Sequence, residues 1–171
     1  MAEGQFLREQ LEPKHILHNF DSGVIELDDW LTESALKSDE RDYGRTYIWH
    51  VGDNQVVAFF TLSAHVINSD QLPLKQARGQ QRIIPTILLG KFALDKTLQG
   101  KNLGEVLLAD AMDEAVKASK IAAARYLVVD AISDELIGFY KKYGFTLALG
   151  SNEVRPRLFI RLKDLKLNLG L

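Results

Sequence analysis

The order of three segments constrains the fold most. "IIPTILLGKFAL" (83–94) is an apolar run of strand character, residues 104–119 carry Val106, Leu107, Ala111 and Ala115 on one helical face, and "RYLVVDA" (125–131) is again an apolar run. Two consecutive strands joined by a crossing helix lie parallel, with a right-handed crossover. The unbroken apolar character of 125–131 fits a strand buried on both faces. Pro85 cannot donate to a ladder, so it belongs near the start of its strand or at a bulge.

The flanking segments extend this pattern. A short helix over 134–143 stops at Gly144, and "FTLALG" and "RLFIRLKDL" are two further strand candidates. Two strand–helix–strand units therefore predict parallel pairing at the centre of the sheet. Upstream, Leu27, Trp30, Leu31 and Ala35 recur at helical spacing and predict a helix over about 25–40. "RTYIWHV" (45–51) and "VVAFFTLSA" (56–64) flank the turn cluster "GDNQ" and predict a β-hairpin. Residues 65–82 are polar, contain Pro73 and Gly79, and read as a loop. The chain is a mixed α/β domain. With 171 residues, no internal repeat and no linker, one domain over 1–171 is expected.

Composition narrows the function classes. There is no cysteine, which removes disulfides, thiolate metal sites and a cysteine nucleophile and fits a cytoplasmic protein. The four histidines, His15, His18, His50 and His65, show no metal-ligand spacing, so no metal is expected; His15 and His18 read as surface or structural residues. No apolar run reaches about 18 residues, and the first residues lack a signal-peptide core, so no membrane partner is expected. Charge is unevenly placed. Residues 1–60 hold 12 acids against 5 Lys and Arg, and residues 61–171 hold 11 acids against 16. A solvated surface gives such a gradient by chance; a sharper reading turns the second portion toward an anion.

"LDKTLQGKNLGEVLLADAM" (94–112) is where chemistry enters. A strand ends near Asp95 and a helix begins near Gly104. The first N–H groups of a helix lack internal partners, and the dipole adds partial positive charge there. Gly100 and Gly104 remove side chains, Asn102 tolerates left-handed angles, and Lys101 adds a full charge. Together they form a cradle for phosphate oxygens, although a tight strand-to-helix turn needs the same residues. Neither G-x-x-x-x-G-K-[ST] nor G-x-G-x-x-G occurs, which removes the nucleoside triphosphatase and dinucleotide fingerprints.

"Q-G-K-N-L-G" (99–104) resembles the pyrophosphate motif [R/Q]-x-x-G-x-[G/A] of the GNAT acetyltransferases, and "LIGFYKKYGF" (136–145) resembles the same family's C-terminal signature. The resemblance covers about residues 20–165. It implies the GNAT acyl-CoA N-acyltransferase fold, a mixed central sheet with flanking helices, and acetyl-CoA as donor. A narrower likeness lies in "FDSGVIELDDWL" (20–31), "RTYI" (45–48), "FFTLSA" (59–64), "ILLGKFALDKTLQGKNLGEVLL" (87–108) and "RLFIRLKDL" (157–165), which resemble the GNAT toxins of type II toxin–antitoxin modules. Members of that subfamily acetylate the α-amine of aminoacyl-tRNA and block translation, and a ribbon–helix–helix antitoxin neutralises them. The subfamily resemblance also implies a homodimer. Two departures matter: Asn102 replaces the middle glycine, and Ser133 stands where many members place Asn.

The resemblance assigns roles residue by residue. Phe92, Ala93 and Leu94 would offer backbone groups to the cofactor and its thioester oxygen. Gln99, Gly100, Lys101, Asn102, Leu103, Gly104 and Glu105 would line the pyrophosphate, with Ser133 a further cofactor contact. Tyr140 would protonate or hydrogen-bond the departing thiolate. A phenol titrates near 10 and a thiol near 8.5, so full proton transfer is uphill by about 2 kcal/mol. No base stands out, which an α-amine tolerates because its pKa is about 8, whereas a lysine amine at about 10.4 needs more help. Lys91, Arg155 and Arg157 are the candidate contacts to tRNA phosphates. Two rivals remain at this level: acetylation of a small amine or a protein N-terminus, and a weakly active CoA-binding interaction module.

Overall fold

Leu7–Gln10 opens the structure as strand β1, an element that nothing in its mixed-charge sequence announces. The computed structural model describes residues 5–150 and 155–168. After β1 come helices α1 (Ile25–Glu33) and α2 (Ala35–Glu40), strands β2 (Arg45–His50) and β3 (Ala58–Asn68), helix α3 (Leu74–Ala77), strand β4 (Ile83–Leu94), helix α4 (Leu103–Ile121), strand β5 (Tyr126–Asp130), helix α5 (Asp134–Lys142), strands β6 (Thr146–Leu147) and β7 (Arg157–Arg161), and helix α6 (Leu162–Asn168). The strands hydrogen-bond in the order β1-β2-β3-β4-β5-β7-β6.

The expected hairpin is present, with β2 antiparallel to β3 from Arg45↔Leu62 to Trp49↔Ala58. The expected parallel pair is present too: β4 and β5 pair from Thr86↔Tyr126 to Leu89↔Val129. The second unit differs. β7 lies antiparallel between β5 and β6, so the strands flanking α5 run the same way without being neighbours. Pro85 sits at the third residue of β4, where its carbonyl accepts from the Arg125 N–H at 2.9 Å.

Three boundaries differ from expectation. The single helix over 25–40 is divided at Ser34, whose φ of −122° leaves the helical region. Residues 65–82 are not simply a loop: β3 continues to Asn68, Ser69–Gln71 forms a 3₁₀ turn whose Gln71 Oε1 accepts from the Asn68 N–H at 3.0 Å, and α3 follows Pro73. Within "RLFIRLKDL" the strand ends at Arg161, and the rest begins α6.

Packing divides the chain into two compact units, one of Met1–Ser63 with Gly90–Ala111, the other of Ala64–Leu89 with Met112–Leu171. In the first, Leu31, Ala35, Ile48 and Phe59 are fully buried with Phe20 and Ala93 beside them. The Trp49 indole N–H donates to Asp110 Oδ2 at 2.8 Å, and Arg8 bridges the other oxygen at 2.9 Å. In the second, Tyr126, Val128 and Phe159 pack with Ile67, Leu72 and Ile84. Among the described residues, no helix is long and apolar enough to cross a membrane.

Candidate active site

β4 ends at Leu94, and every residue of the next turn has a local reason for its conformation. Asp95 Oδ1 accepts from the Thr97 N–H at 3.0 Å and from its hydroxyl at 2.8 Å, which closes the turn Lys96–Leu98. Asp95 Oδ2 accepts from the Asp21 N–H at 2.9 Å, and the Lys96 N–H donates to the Asp21 carbonyl at 2.8 Å. Lys96 Nζ meets Asp21 Oδ2 at 3.0 Å, and that ammonium holds the Asp21 carboxyl below its ordinary range. Asp28 completes the strap, accepting from the Ser22 hydroxyl at 2.6 Å and its N–H at 3.0 Å. The segment "FDSGVIELDD" therefore braces the loop.

Gln99 fastens the same bracing. Its Nε2 donates to the Ser22 carbonyl at 2.8 Å and to the Leu94 carbonyl at 2.9 Å, so both amide protons are committed inside the protein. Gly100 and Asn102 take φ of +72° and +58°, the left-handed region where L side chains are costly and Asn is among the most tolerant. A Cβ built on Gly100 would meet nothing within 4 Å, so backbone angle rather than crowding selects glycine here. Lys101 is exposed, and α4 starts at Leu103, with Gly104 and Glu105 in its first turn. Two left-handed residues, an open approach, a lysine and the start of a 19-residue helix fit a pyrophosphate.

Upstream, the β4–β5 ladder stops at Leu89↔Val129 while β4 continues to Leu94. A side chain takes part in the ladder there: Thr61 Oγ1 accepts from the Lys91 N–H at 2.8 Å. A Cβ on Gly90 would lie 3.1 Å from that oxygen. Of the strand's last residues, Ala93 is buried while Phe92 and Leu94 are half-buried.

Tyr140 belongs to the other unit. Ser133 caps α5, its Oγ accepting from the Leu136 N–H at 3.3 Å; Asp134 and Glu135 occupy the first turn, Lys141 and Lys142 the last, each matching the helix dipole. Gly144, at φ +94°, ends the element. Tyr140 is 4 % exposed, with Phe139 and Phe145 edge-on at 5.4 Å. Its hydroxyl has no hydrogen-bond partner among the described residues. Burial pushes the phenol well above its ordinary range, because the phenolate would be stripped of water. The group therefore stays protonated and keeps a proton to donate.

The model of the Acetyltransferase (GNAT) family matches residues 14–145. The chain belongs to this family. It is 30 % identical over 156 residues to a "tRNA-acetylating toxin" of Mycobacterium tuberculosis, covering 89 % of each chain. Its fold superposes on AtaT complexed with acetyl-methionyl-tRNAfMet at a TM-score of 0.86, with 29 % identity over 96 % of this chain and 99 % of that one. A tyrosine-to-phenylalanine variant of AtaT is also known bound to the C-terminus of the antitoxin AtaR and acetyl-CoA. A tyrosine-to-phenylalanine variant of KacT superposes at 0.87, with 26 % identity and the same coverages. The GNAT fold with its mixed sheet is thus shown, and with it an acetyltransferase using acetyl-CoA.

Within this GNAT chain the candidate phosphate contacts take different surroundings. Lys91 is half-buried, with Nζ 5.2 Å from the centre of the Trp30 ring. Arg155 is exposed. Arg157 is not a free surface cation. Its Nε and Nη2 donate to the two Asp130 oxygens at 2.8 and 2.9 Å, and Nη1 donates to His65 Nε2 at 2.9 Å. The carboxylate raises the guanidinium's pKa, while burial and the arginine lower that of His65. Arg157 joins β7 to β5 and is a poor candidate for phosphate contact. Tyr143 packs edge-on against Phe139 at 5.1 Å, as its place one turn from Tyr140 implies.

Sequence reasoning missed Asp21, Asp28, Thr61 and Asp95. The pattern Asp95-x-Thr97 is a readable turn signal; the partners 30 or more positions away are not readable locally. It also missed a half-buried cluster. Glu9 Oε2 accepts from His15 Nε2 at 2.9 Å and meets Lys14 Nζ at 3.1 Å, and His50 Nε2 lies 3.3 Å away outside hydrogen-bond alignment. Each imidazole Nδ1 faces backbone donors: Glu12 N–H for His15, Gly52 and Asn54 N–H for His50. A backbone N–H can only donate, so Nδ1 accepts and Nε2 carries the proton. That tautomer gives a carboxylate its donors and gives a metal no lone pair. These donors hold the Glu9 carboxyl down at about 2 from 4.5.

Proposed function

We propose that this protein acetylates the free α-amine of aminoacyl-tRNA, and so acts as a translation-blocking toxin of a toxin–antitoxin module. The single observation that carries this reading is the likeness to AtaT, a structure with acetyl-methionyl-tRNAfMet, over 96 % of the chain. The 30 % identity to a tRNA-acetylating toxin supports it. The reading includes a cytoplasmic homodimer that a ribbon–helix–helix antitoxin neutralises. That one family model spans residues of both compact units supports one acetyltransferase domain over 1–171.

The donor supplies an activated thioester. Residues 100–105 hold its pyrophosphate through backbone N–H groups and Lys101, Gln99 having its own N–H and both side-chain protons bonded within the protein, and Phe92–Leu94 offer backbone groups along the pantetheine arm. The neutral amine forms the new C–N bond as the C–S bond breaks, and the amine proton leaves to solvent. Tyr140 donates a hydrogen bond to the leaving sulfur. An α-amine, with pKa about 8, is partly neutral near pH 7, which matches a site whose titratable side chains offer no evident base. Ser133 caps α5 with one lone pair of its oxygen, which leaves its hydroxyl proton and a second lone pair for a cofactor contact.

Incubation with acetyl-CoA and total charged tRNA, followed by sequencing of the acetylated species, tests the reading. Acetylated aminoacyl-tRNA is the expected product. Acetyl transfer only to free amines or protein termini would replace it.

A further inference from the structure

The second unit carries a basic cleft that the acetyltransferase chemistry leaves unused. A cavity of about 530 Å³ lies among α3, the residues before β5, the end of β7 and α6, and Lys75, Arg78, Arg125 and Arg161 line it. Two adjoining cavities, of about 260 and 300 Å³, share Arg125, and Lys163 lines the first of them. All five cations are exposed. Asp164 lines the main cavity as its one acid, and it is bound to Arg161 at 2.7 Å. Among the described residues no carboxylate pairs with Lys75, Arg78, Arg125 or Lys163. This is where the positive excess of residues 61–171 concentrates.

Neutral groups complete the lining. Gln76 and Thr146 offer uncharged hydrogen-bonding groups, and Gln80 is steadied by the Tyr126 hydroxyl at 3.3 Å. Arginine, lysine, glutamine and threonine are the side chains that contact phosphates and sugars, which position a nucleic acid without reading its sequence. The cleft's aromatic rings, Tyr126 and Phe159, are 3 and 4 % exposed and pack edge-on at 5.3 Å. They leave no platform for unstacked bases, which single-stranded recognition uses.

We infer that this cleft binds the sugar–phosphate backbone of a helical RNA segment, independently of sequence. The inference rests on the aminoacyl-tRNA reading only for the identity of that RNA. It moves the main phosphate contacts from Lys91, Arg155 and Arg157, the last of which Asp130 and His65 hold, to Arg125 and its neighbours.

The test is binding of a short RNA duplex, and of single-stranded RNA of equal length, across a salt series. The parent should favour the duplex. Arg78→Ala and Arg125→Ala should each lower the log–log salt slope by about one, and the double variant by about two. Arg157→Lys should leave the slope unaltered. Melting temperature and acetyl-CoA affinity of each variant report whether the fold is intact. Equal slopes in parent and double variant overturn the inference, as does binding of a polyglutamate peptide that the variants weaken while duplex binding stays unchanged. A parent that binds duplex through these arginines yet acetylates no charged tRNA keeps the cleft and removes the tRNA-acetylation reading. A parent that acetylates charged tRNA with an unchanged variant slope does the reverse.

Discussion

The loop at 95–104 and the helix end at Tyr140 work in opposite ways. In the loop, the side chains turn inward to hold their own backbone: Asp95 closes the turn, and Gln99 gives both amide protons to the Ser22 and Leu94 carbonyls. What remains for a ligand is backbone, at left-handed Gly100 and Asn102 and at the start of α4. At Tyr140 the backbone is consumed by helix and turn, its carbonyl accepting from the Tyr143 and Phe145 N–H groups, and one hydroxyl is left over. Residue identity should therefore matter at Tyr140 for a single atom, and in the loop for conformation.

The largest expected effect separates the two. Tyr140→Phe removes the hydroxyl and keeps a ring flanked by Phe139 and Phe145. Folding and acetyl-CoA affinity should survive, while kcat should fall about a hundred- to ten-thousandfold, the usual worth of a proton or hydrogen-bond donor to the leaving group. Expression without antitoxin should become harmless. A folded variant within about threefold of the parent rate would assign the donor role to another group or to water.

Gly104→Val is the complementary change. It leaves every reacting side chain in place and sets a branched side chain in the first turn of α4. Acetyl-CoA affinity should drop by tenfold or more, about 1.4 kcal/mol, with Tyr140 untouched. Calorimetry that returns the parent affinity in a folded variant would remove the backbone cradle.

These contrasts also explain what the sequence could convey. The loop was legible because Gly100 and Asn102 declare backbone geometry locally, and the structure gives both the left-handed angles their types imply. The strand–helix–strand order was legible because apolar periodicity is local, and β4 and β5 are parallel. Tyr140 is singled out only by its flanking signature, since a buried tyrosine beside two phenylalanines looks like core. Arg157 was misleading for the same reason in reverse: its charge is visible in the sequence, but Asp130 and His65, 27 and 92 positions away, are not visible as its partners. β1 was missed because its mixed-charge edge strand lacks an apolar run, the end of β3 because exposed and half-buried residues break up its apolar run, and β7 entered between β5 and β6 because pairing order is a tertiary choice.

A smaller effect sharpens the claim that the loop's side chains serve its backbone. Gln99→Leu keeps the bulk and removes both donors. Each such bond is worth about 1 kcal/mol, less where water can substitute. The melting temperature should fall by a few degrees, and acetyl-CoA affinity by about threefold, because the cradle is less well held. An unchanged affinity with a lowered melting temperature would make Gln99 a fold residue with no bearing on the cradle.

The smallest effect concerns pH and tests the other side of the comparison. An ordinary phenol titrates near 10, so at about pH 10 half of it has lost the proton it needs to donate. Burial raises the Tyr140 pKa above that value, and for an acid this keeps the neutral form, the donor, as pH rises. The rate should climb from about pH 7 as the acceptor α-amine loses its proton, with pKa about 8, and then stay level to about pH 10. With an ordinary phenol the rate there would be about half the plateau. Single-turnover rates with a surrogate α-amine separate chemistry from product release. A descending limb below about pH 10 that vanishes in Tyr140→Phe would mean that the bound donor leaves the hydroxyl in contact with water, and that the phenol titrates as a surface group. A level plateau means that the one side-chain atom this region leaves over stays a donor across the whole range in which the amine can attack.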